Sequence, residues 1–211
     1  MRRVFFACAL FALACTARAS ASALTDFNDA WNKVDNYSCS IVVHETLGTQ
    51  TQDRKYDFWF KKPNLAHIEI TSGPGKGSGS VWHGGDTVLG HQGGLFHGVK
   101  MNISLNDGRA VSLRGDNMTV GIFGNILAYY QSQASALTEG PGETIDGAAT
   151  DMVTLKIANP AANKNVSRDV LYLSKATHLP VRRVKYEGDA LVKQEDFVNV
   201  KLNPGLKDSD F

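Results

Sequence analysis

The sequence predicts a mainly β fold, a large antiparallel meander or barrel with two amphipathic helices covering its apolar face. Three observations predict it. Apolar and polar residues alternate with period two in segment after segment, the mark of antiparallel strands with one buried face. These segments follow one another at ~8–12 residues, with Gly-rich turns between them. Helical spacing occurs at only two places, near the start and in the middle of the chain.

The first helix is expected over 24–35, where Leu24, Phe27, Trp31 and Val34 recur at spacings of three and four and Thr25 or Asp26 can cap the start. Period two begins at 38–45, with Cys39, Ile41 and Val43 on one face. In 55–61, Tyr56, Phe58 and Phe60 oppose Asp57, Trp59 and Lys61; in 65–71, Ala66, Ile68 and Ile70 alternate with His67, Glu69 and Thr71. Shorter strands are expected at 80–83, 87–90 and 96–99, with turns at Gly84-Gly85-Asp86 and Gly93-Gly94 and a hairpin turn at Asn106-Asp107-Gly108. Residues 117–135 return to helical spacing. Ile122, Phe123, Ile126, Leu127 and Tyr130 form one stripe, with Thr119 as the cap. Gly121 and Gly124 weaken its first turns by ~1 kcal/mol each relative to Ala. Residues 138–147 read as a loop. Strands resume at 153–157, 169–174, 181–187 and 191–203, the last with Val198, Val200 and Leu202 on one face. So large a sheet must curl, because strand twist accumulates. Its concave apolar face needs a cover, and the two helices supply it.

The chain carries an N-terminal leader ahead of this fold. Arg2 and Arg3 precede an apolar run from Val4 to Leu13, and Ala-Xaa-Ala patterns follow up to Ala23. That is the layout of a cleaved secretory signal, and the run is shorter than the ~20 residues that span a bilayer. Cleavage is expected after Ala23, with Ala21 and Ala19 as alternatives and a lipoprotein signal ending at Cys15 as the competing arrangement. Residues 1–23 are then signal, and 24–211 form one domain of a soluble exported protein. Removing them takes three arginines and no acid, leaving 19 basic against 21 acidic residues. A balance so close to neutral gives no field for a phosphate backbone, so nucleic acid is not an expected partner. Cys39 alone remains, which excludes an intramolecular disulfide.

Catalytic signatures are weak. Ser78 lacks the Gly two residues before it that a nucleophile elbow needs, and the Gly-rich stretch around Lys76 fails the phosphate-loop pattern. That stretch reads as an exposed hairpin, or as a flap beside a cavity mouth. His83, His91 and His97 lack metal-ligand spacing, so no metal is expected. His67 and Glu69 read as a solvated strand face, and Cys39 as a buried, inert thiol. No catalytic residue and no cofactor is assigned.

Trp59-Phe60-Lys61-Lys62-Pro63-Asn64-Leu65 resembles the Leu-Trp-Val-Lys-Arg-Pro-Asn-Leu segment of the periplasmic lipoprotein carrier family LolA. Residues 30–46 are similar to that family's starting helix and first strand, and Leu171-Tyr172-Leu173-Ser174, Leu179-Pro180-Val181-Arg182 and the run from Phe197 to Pro204 to its later strands. The resemblance covers roughly residues 24–206. It implies an incomplete antiparallel barrel enclosing a hydrophobic cavity covered by α-helices. It also implies a carrier or chaperone for a lipid, an acyl chain or a lipidated protein, rather than an enzyme. The expected cavity lining is Tyr56, Phe58, Phe60, Ile68, Ile70 and Trp82 on the strands, with Phe123, Ile126, Leu127 and Tyr130 on the helix. Lys62 stands where the family has an Arg that ties the lid to the barrel, and is the expected lid contact. The chain also ends at Phe211 without the family's extra C-terminal segment. Expected partners are a hydrophobic ligand and an envelope membrane protein or lipoprotein, with the protein itself a monomer. Two alternatives share the fold: a lipid-sensing regulatory module, and a small enzyme using Tyr130, His97 or His44 as acid–base groups.

Overall fold

The computed structural model describes residues 22–96 and 98–211. Most of the expected leader, with Cys15, and His97 lie outside the described residues. The elements are α1 (Ala23–Asn32), β1 (Asn36–Leu47), β2 (Gln50–Lys61), β3 (Leu65–Ser72), β4 (Gly79–Trp82), β5 (Thr87–His91), β6 (Lys100–Ser104), α2 (Phe123–Ser132), β7 (Leu137–Pro141), β8 (Thr150–Lys156), β9 (Arg168–Ser174), β10 (Pro180–Glu187) and β11 (Ala190–Leu202). All eleven strands form one antiparallel sheet in the order β6-β5-β4-β3-β2-β1-β11-β10-β9-β8-β7. The first and last strands pair at its middle, and β6 and β7 are left as free edges. The barrel is therefore incomplete, as expected. No helix among the described residues is long and apolar enough to cross a membrane.

The period-two reading of the long strands holds. Cys39 faces Phe58, Ile41 faces Tyr56 and Phe58 faces Ile68 across β1, β2 and β3, so these side chains share the concave face. Both helices pack into the hollow. Trp31 at the end of α1 lies 5.8 Å from Phe60, 6.1 Å from Tyr37 and 6.5 Å from Phe123, ring centre to ring centre. Phe123 stacks on Tyr37 at 4.4 Å, and its amide donates to the Tyr37 hydroxyl at 3.3 Å. That bond satisfies a free N–H at the start of α2, where Ile122 offers no capping side chain. At the other end of the sheet's centre, Asn203 fixes the entry to β1. Its amide donates to the Lys33 carbonyl, and its oxygen accepts from the amides of Asp35 and Asn36.

Several expectations are corrected. The helix expected over 117–135 is broken: Met118–Gly121 is a 3-10 turn, Ile122 is extended, and α2 starts only at Phe123. The break is what lets Phe123 reach Tyr37. Asn117, not Thr119, caps the 3-10 turn, its oxygen accepting from the Thr119 amide at 3.1 Å. The strand expected at 96–99 is displaced to β6, where Ile103 faces Val88 over the hollow. Asn106-Asp107-Gly108 forms a turn but no hairpin, because no strand of the sheet follows it. Part of the expected loop 138–147 is the edge strand β7, whose Pro141 is tolerated because it sits at an edge. In β11, Val198 does not share a face with Val200. A bulge at Asn199, which takes a left-handed φ of 57°, inverts the alternation and turns Phe197, Glu195 and Lys193 inward. Thr25 and Asp26 lie inside α1. Ahead of them, the Ser22 hydroxyl and the Ala23 amide donate to the Glu139 carboxylate at 2.7 and 2.8 Å.

Candidate functional site

The hollow of the sheet is filled unevenly. At one end α1 and α2 close it, and the rings of Trp31, Tyr37, Phe58, Phe60 and Phe123 pack directly on one another. At the other end neither α1 nor α2 lies against the wall, and residues 109–121 cross the hollow instead. Between that segment and strands β1–β6 is a cavity of about 530 Å³. Its wall is apolar: Ile41, Val43, Tyr56, Ile68, Ile70 and Ile103. Its rim is the turn containing Gly75 and Lys76, the loop at Gly93, and Met101. Two glycines make that rim possible. The turn and the loop touch so closely that a Cβ on Gly93 would lie 2.5 Å from the Lys76 carbonyl oxygen, and Gly77 takes a φ of 82°. The exposed Lys76 hairpin therefore stands beside the cavity mouth.

The floor of the cavity is ionic. Lys193, 2% exposed, places its ammonium 2.9 Å from Glu45, 2.8 Å from Asp116 and 2.9 Å from Glu195. Burial pulls this lysine toward neutrality, but Glu195, Asp116 and Glu45 outweigh burial and hold its pKa above the ordinary lysine range. Burial works against the Asp116 carboxylate too, and Lys193, Lys185 and Lys164 overcome it and keep the group well below the usual carboxylate range. The same contacts hold the crossing segment in place. The Ser112 hydroxyl and the Arg114 amide donate to Glu45 at 2.9 and 3.3 Å, and Arg114 reaches the Thr46 carbonyl and Glu187. A cavity apolar along its wall and charged at its floor presents two chemistries to one guest.

Of the expected lining residues, Tyr56, Ile68 and Ile70 lie on the cavity wall. Phe58 and Phe60 share their face but are buried beneath Trp31 and Tyr37. Phe123, Ile126, Leu127 and Tyr130 are inserted into the closed core, so the α2 stripe plugs the hollow rather than bounding the open space. Trp82 packs at the core margin, its indole N–H donating to the Gly85 carbonyl at 2.9 Å. Lys62 does meet a helix: its ammonium donates to the Trp31 carbonyl at 2.8 Å and sits 4.4 Å above the Trp31 ring. The helix it holds is α1, whose C-terminal carbonyls attract a cation. Gly124 is not a loose point in α2. A Cβ there would lie 2.9 Å from the Trp31 indole, so the glycine permits the helices to touch.

Of the residues considered as acid–base groups, the two described, Tyr130 and His44, lie apart. The Tyr130 hydroxyl donates to Asp169 at 2.8 Å, and burial pushes its pKa well above the usual value. His44 lies on the convex face against Asp53. On that face Glu69 is more than a solvated carboxylate, because it accepts from His67 at 2.9 Å and from His91 at 2.8 Å. His91 is reached across Gly79, where any Cβ would meet the Glu69 carboxylate. Burial and then the Asp57 charge push the Cys39 thiol up, which keeps it protonated and unreactive.

No protein-family model matches the sequence, and no curated protein matches it. The fold is nevertheless found among solved structures. The chain is similar to an uncharacterized conserved protein from Thermus thermophilus, with a TM-score of 0.55 and 10% identity over 90% of this chain and 92% of that one. It is similar to MucB, with a TM-score of 0.51 and 10% identity over 89% of this chain. The match covers 61% of MucB, so the chain spans about three fifths of that protein's length. The structure of the Pseudomonas aeruginosa MucA/MucB complex matches at a TM-score of 0.50. A LolA superfamily protein from Nitrosomonas europaea matches at 13% identity over 91% of this chain and 98% of that one, with a TM-score of 0.43. What the likenesses to the Thermus thermophilus protein and to MucB establish is the fold alone: an open antiparallel sheet curled around helices.

Proposed function

We propose that this protein is a non-enzymatic carrier or chaperone that holds a lipid, an acyl chain or the acylated part of a protein while it crosses the periplasm, which the protein enters through its cleaved leader. The cavity beneath residues 109–121 is the observation that supports this most. Its volume of about 530 Å³ falls within the ~300–1,000 Å³ usual for ligand sites. Each CH₂ moved from water onto its wall gains ~0.8 kcal/mol. Tyr56, Ile68 and Ile70 are the wall residues of this reading. Lys62 is its latch, holding α1 against the sheet by one charged hydrogen bond that opening would break. Native mass spectrometry of protein purified from its own envelope tests the reading. A bound hydrophobic molecule is expected, and a bare chain that also refuses a fluorescent fatty acid contradicts it.

A second reading is a regulatory module that binds a lipid in the same cavity and a partner protein outside it. The MucA/MucB complex, among chains of this fold, favours keeping it. A specific envelope protein retained by the tagged protein after its lipid is stripped would select this reading over simple carriage.

A further inference from the structure

A second hollow lies on the other side of the crossing segment, and the two share Asp116 and Val120 as a partition. It measures about 230 Å³. Its walls carry four cations, Arg114, Lys164, Arg183 and Lys185, against two carboxylates, Asp116 and Asp169. These cations are not equally engaged. Arg183 grips Asp169 through two bonds, at 3.0 and 2.6 Å, and Arg114 is held by Glu187 and by two backbone carbonyls. Lys164 and Lys185 share one carboxylate, that of Asp116, at 2.8 and 3.0 Å. Lys193 draws on the same carboxylate at 2.8 Å from the cavity side.

Three ammonium groups thus converge on one anion. Lys193 has Glu45 and Glu195 besides, whereas the salt bridges of Lys164 and Lys185 among the described residues go to Asp116 alone. Lys185 is the more buried of the two. Burial, then the Arg183 and Lys193 charges, pull it below the ordinary lysine range despite Asp116. An added anion would relieve that repulsion. Tyr129 and Asn163 line the same hollow and supply neutral polar groups. A phosphate monoester, with a charge of about −1.5 to −2 and several acceptor oxygens, suits converging lysines better than a single carboxylate does.

We propose that this pocket is an oxyanion site for a phosphate group, carried by an amphiphile whose chain lies in the apolar cavity across the Asp116–Val120 partition. This rests on the carrier reading and narrows it to a class of cargo. The same chemistry would take free phosphate, so the test separates the two sources.

Isothermal titration of the mature protein with 1-oleoyl-lysophosphatidate, with monoolein and with inorganic phosphate supplies the arms. Lysophosphatidate is expected to bind at least tenfold tighter than monoolein. Lys164→Gln, at a half-exposed lysine whose loss spares the fold, should cut that advantage at least threefold and leave monoolein binding unchanged. A circular-dichroism melt confirms that the variant is folded. Equal affinity for the two lipids, or an advantage untouched in Lys164→Gln, overturns the phosphate site and leaves the carrier reading standing. Binding of phosphate with neither lipid overturns the amphiphile and the carrier reading together. Three silent titrations remove both.

Discussion

Replacing Lys193 by Met tests the ionic floor of the cavity most severely. The side chain keeps its length and loses its charge, so Glu45, Asp116 and Glu195 are left around an empty position. Glu45 and Glu195 are themselves only 1% and 4% exposed, so water in the cavity they floor can replace little of the lost contact. Removing one partner of a buried ionic group costs ~3–5 kcal/mol, because the remaining charges stay desolvated and unpaired. Three carboxylates depend on this ammonium, at 2.8–2.9 Å, which places the loss toward the upper end. The sign of the pH dependence follows. In the wild type, Asp116 is held below its unfolded pKa, so its contribution is full above that value and fades as pH falls below it toward the folded one. In the variant Asp116 loses one of its three ammonium partners, so less of that contribution is there to lose, and the deficit against the wild type narrows as pH falls below ~4. Urea unfolding at pH 7 and at about pH 3 reads the effect. A deficit under ~1 kcal/mol at pH 7, or one that does not narrow in acid, would refute the assignment of Lys193 as the hub.

Three further outcomes are expected. Gly124→Ala should lower stability by ~1–3 kcal/mol despite the higher helix propensity of Ala, because the added methyl meets Trp31; a thermal melt at or above the wild-type midpoint contradicts the packing of α1 on α2. Lys62→Ala should cost ~1–3 kcal/mol and leave the fold intact, with faster hydrogen exchange confined to α1 and its junction with β1; unchanged exchange there removes the latch. Ser22 and Ala23 both donate to Glu139, so cleavage after Ala21 or Ala19 keeps this anchor and cleavage after Ala23 discards it. The intact mass of exported protein should therefore show a first residue of Ser22 or Ser20, and a chain starting at Leu24 shows that the anchor is dispensable.

The long strands were legible because one face of each is buried in hydrocarbon. Tyr56, Phe58 and Phe60 against Ile68 and Ile70 announce both the strands and the face they share. The shape of the site was not legible, for three physical reasons. Alternation marks which side chains point inward but not how deeply a cover penetrates, so Phe58 and Phe60, in the closed core, read the same as Tyr56, on the open wall. Charged residues on an inward face look like solvent-facing ones until their partners are known, and Lys193, Glu195 and Glu45 find theirs only across β1, β11 and residues 112–116. Residues 109–121 carry no period at all, since side chains and carbonyls of other elements hold them instead of a regular ladder. Lys62 was placed through the Lys-Lys-Pro-Asn-Leu resemblance alone, because no local pattern ties it to Trp31, 31 residues earlier.

The central claim is that the space under the crossing segment receives an oily guest. Titrating a fluorescent acyl probe into the wild type and into Ile70→Trp tests it most directly, because the indole would occupy the wall of the cavity at a position that faces Tyr56 and lies outside the closed core. Saturable binding of one probe per chain, weakened at least tenfold in the filled variant with its melting point preserved, is the result this structure predicts. A wild-type protein that ignores the probe, or a filled variant that binds it equally well, contradicts it.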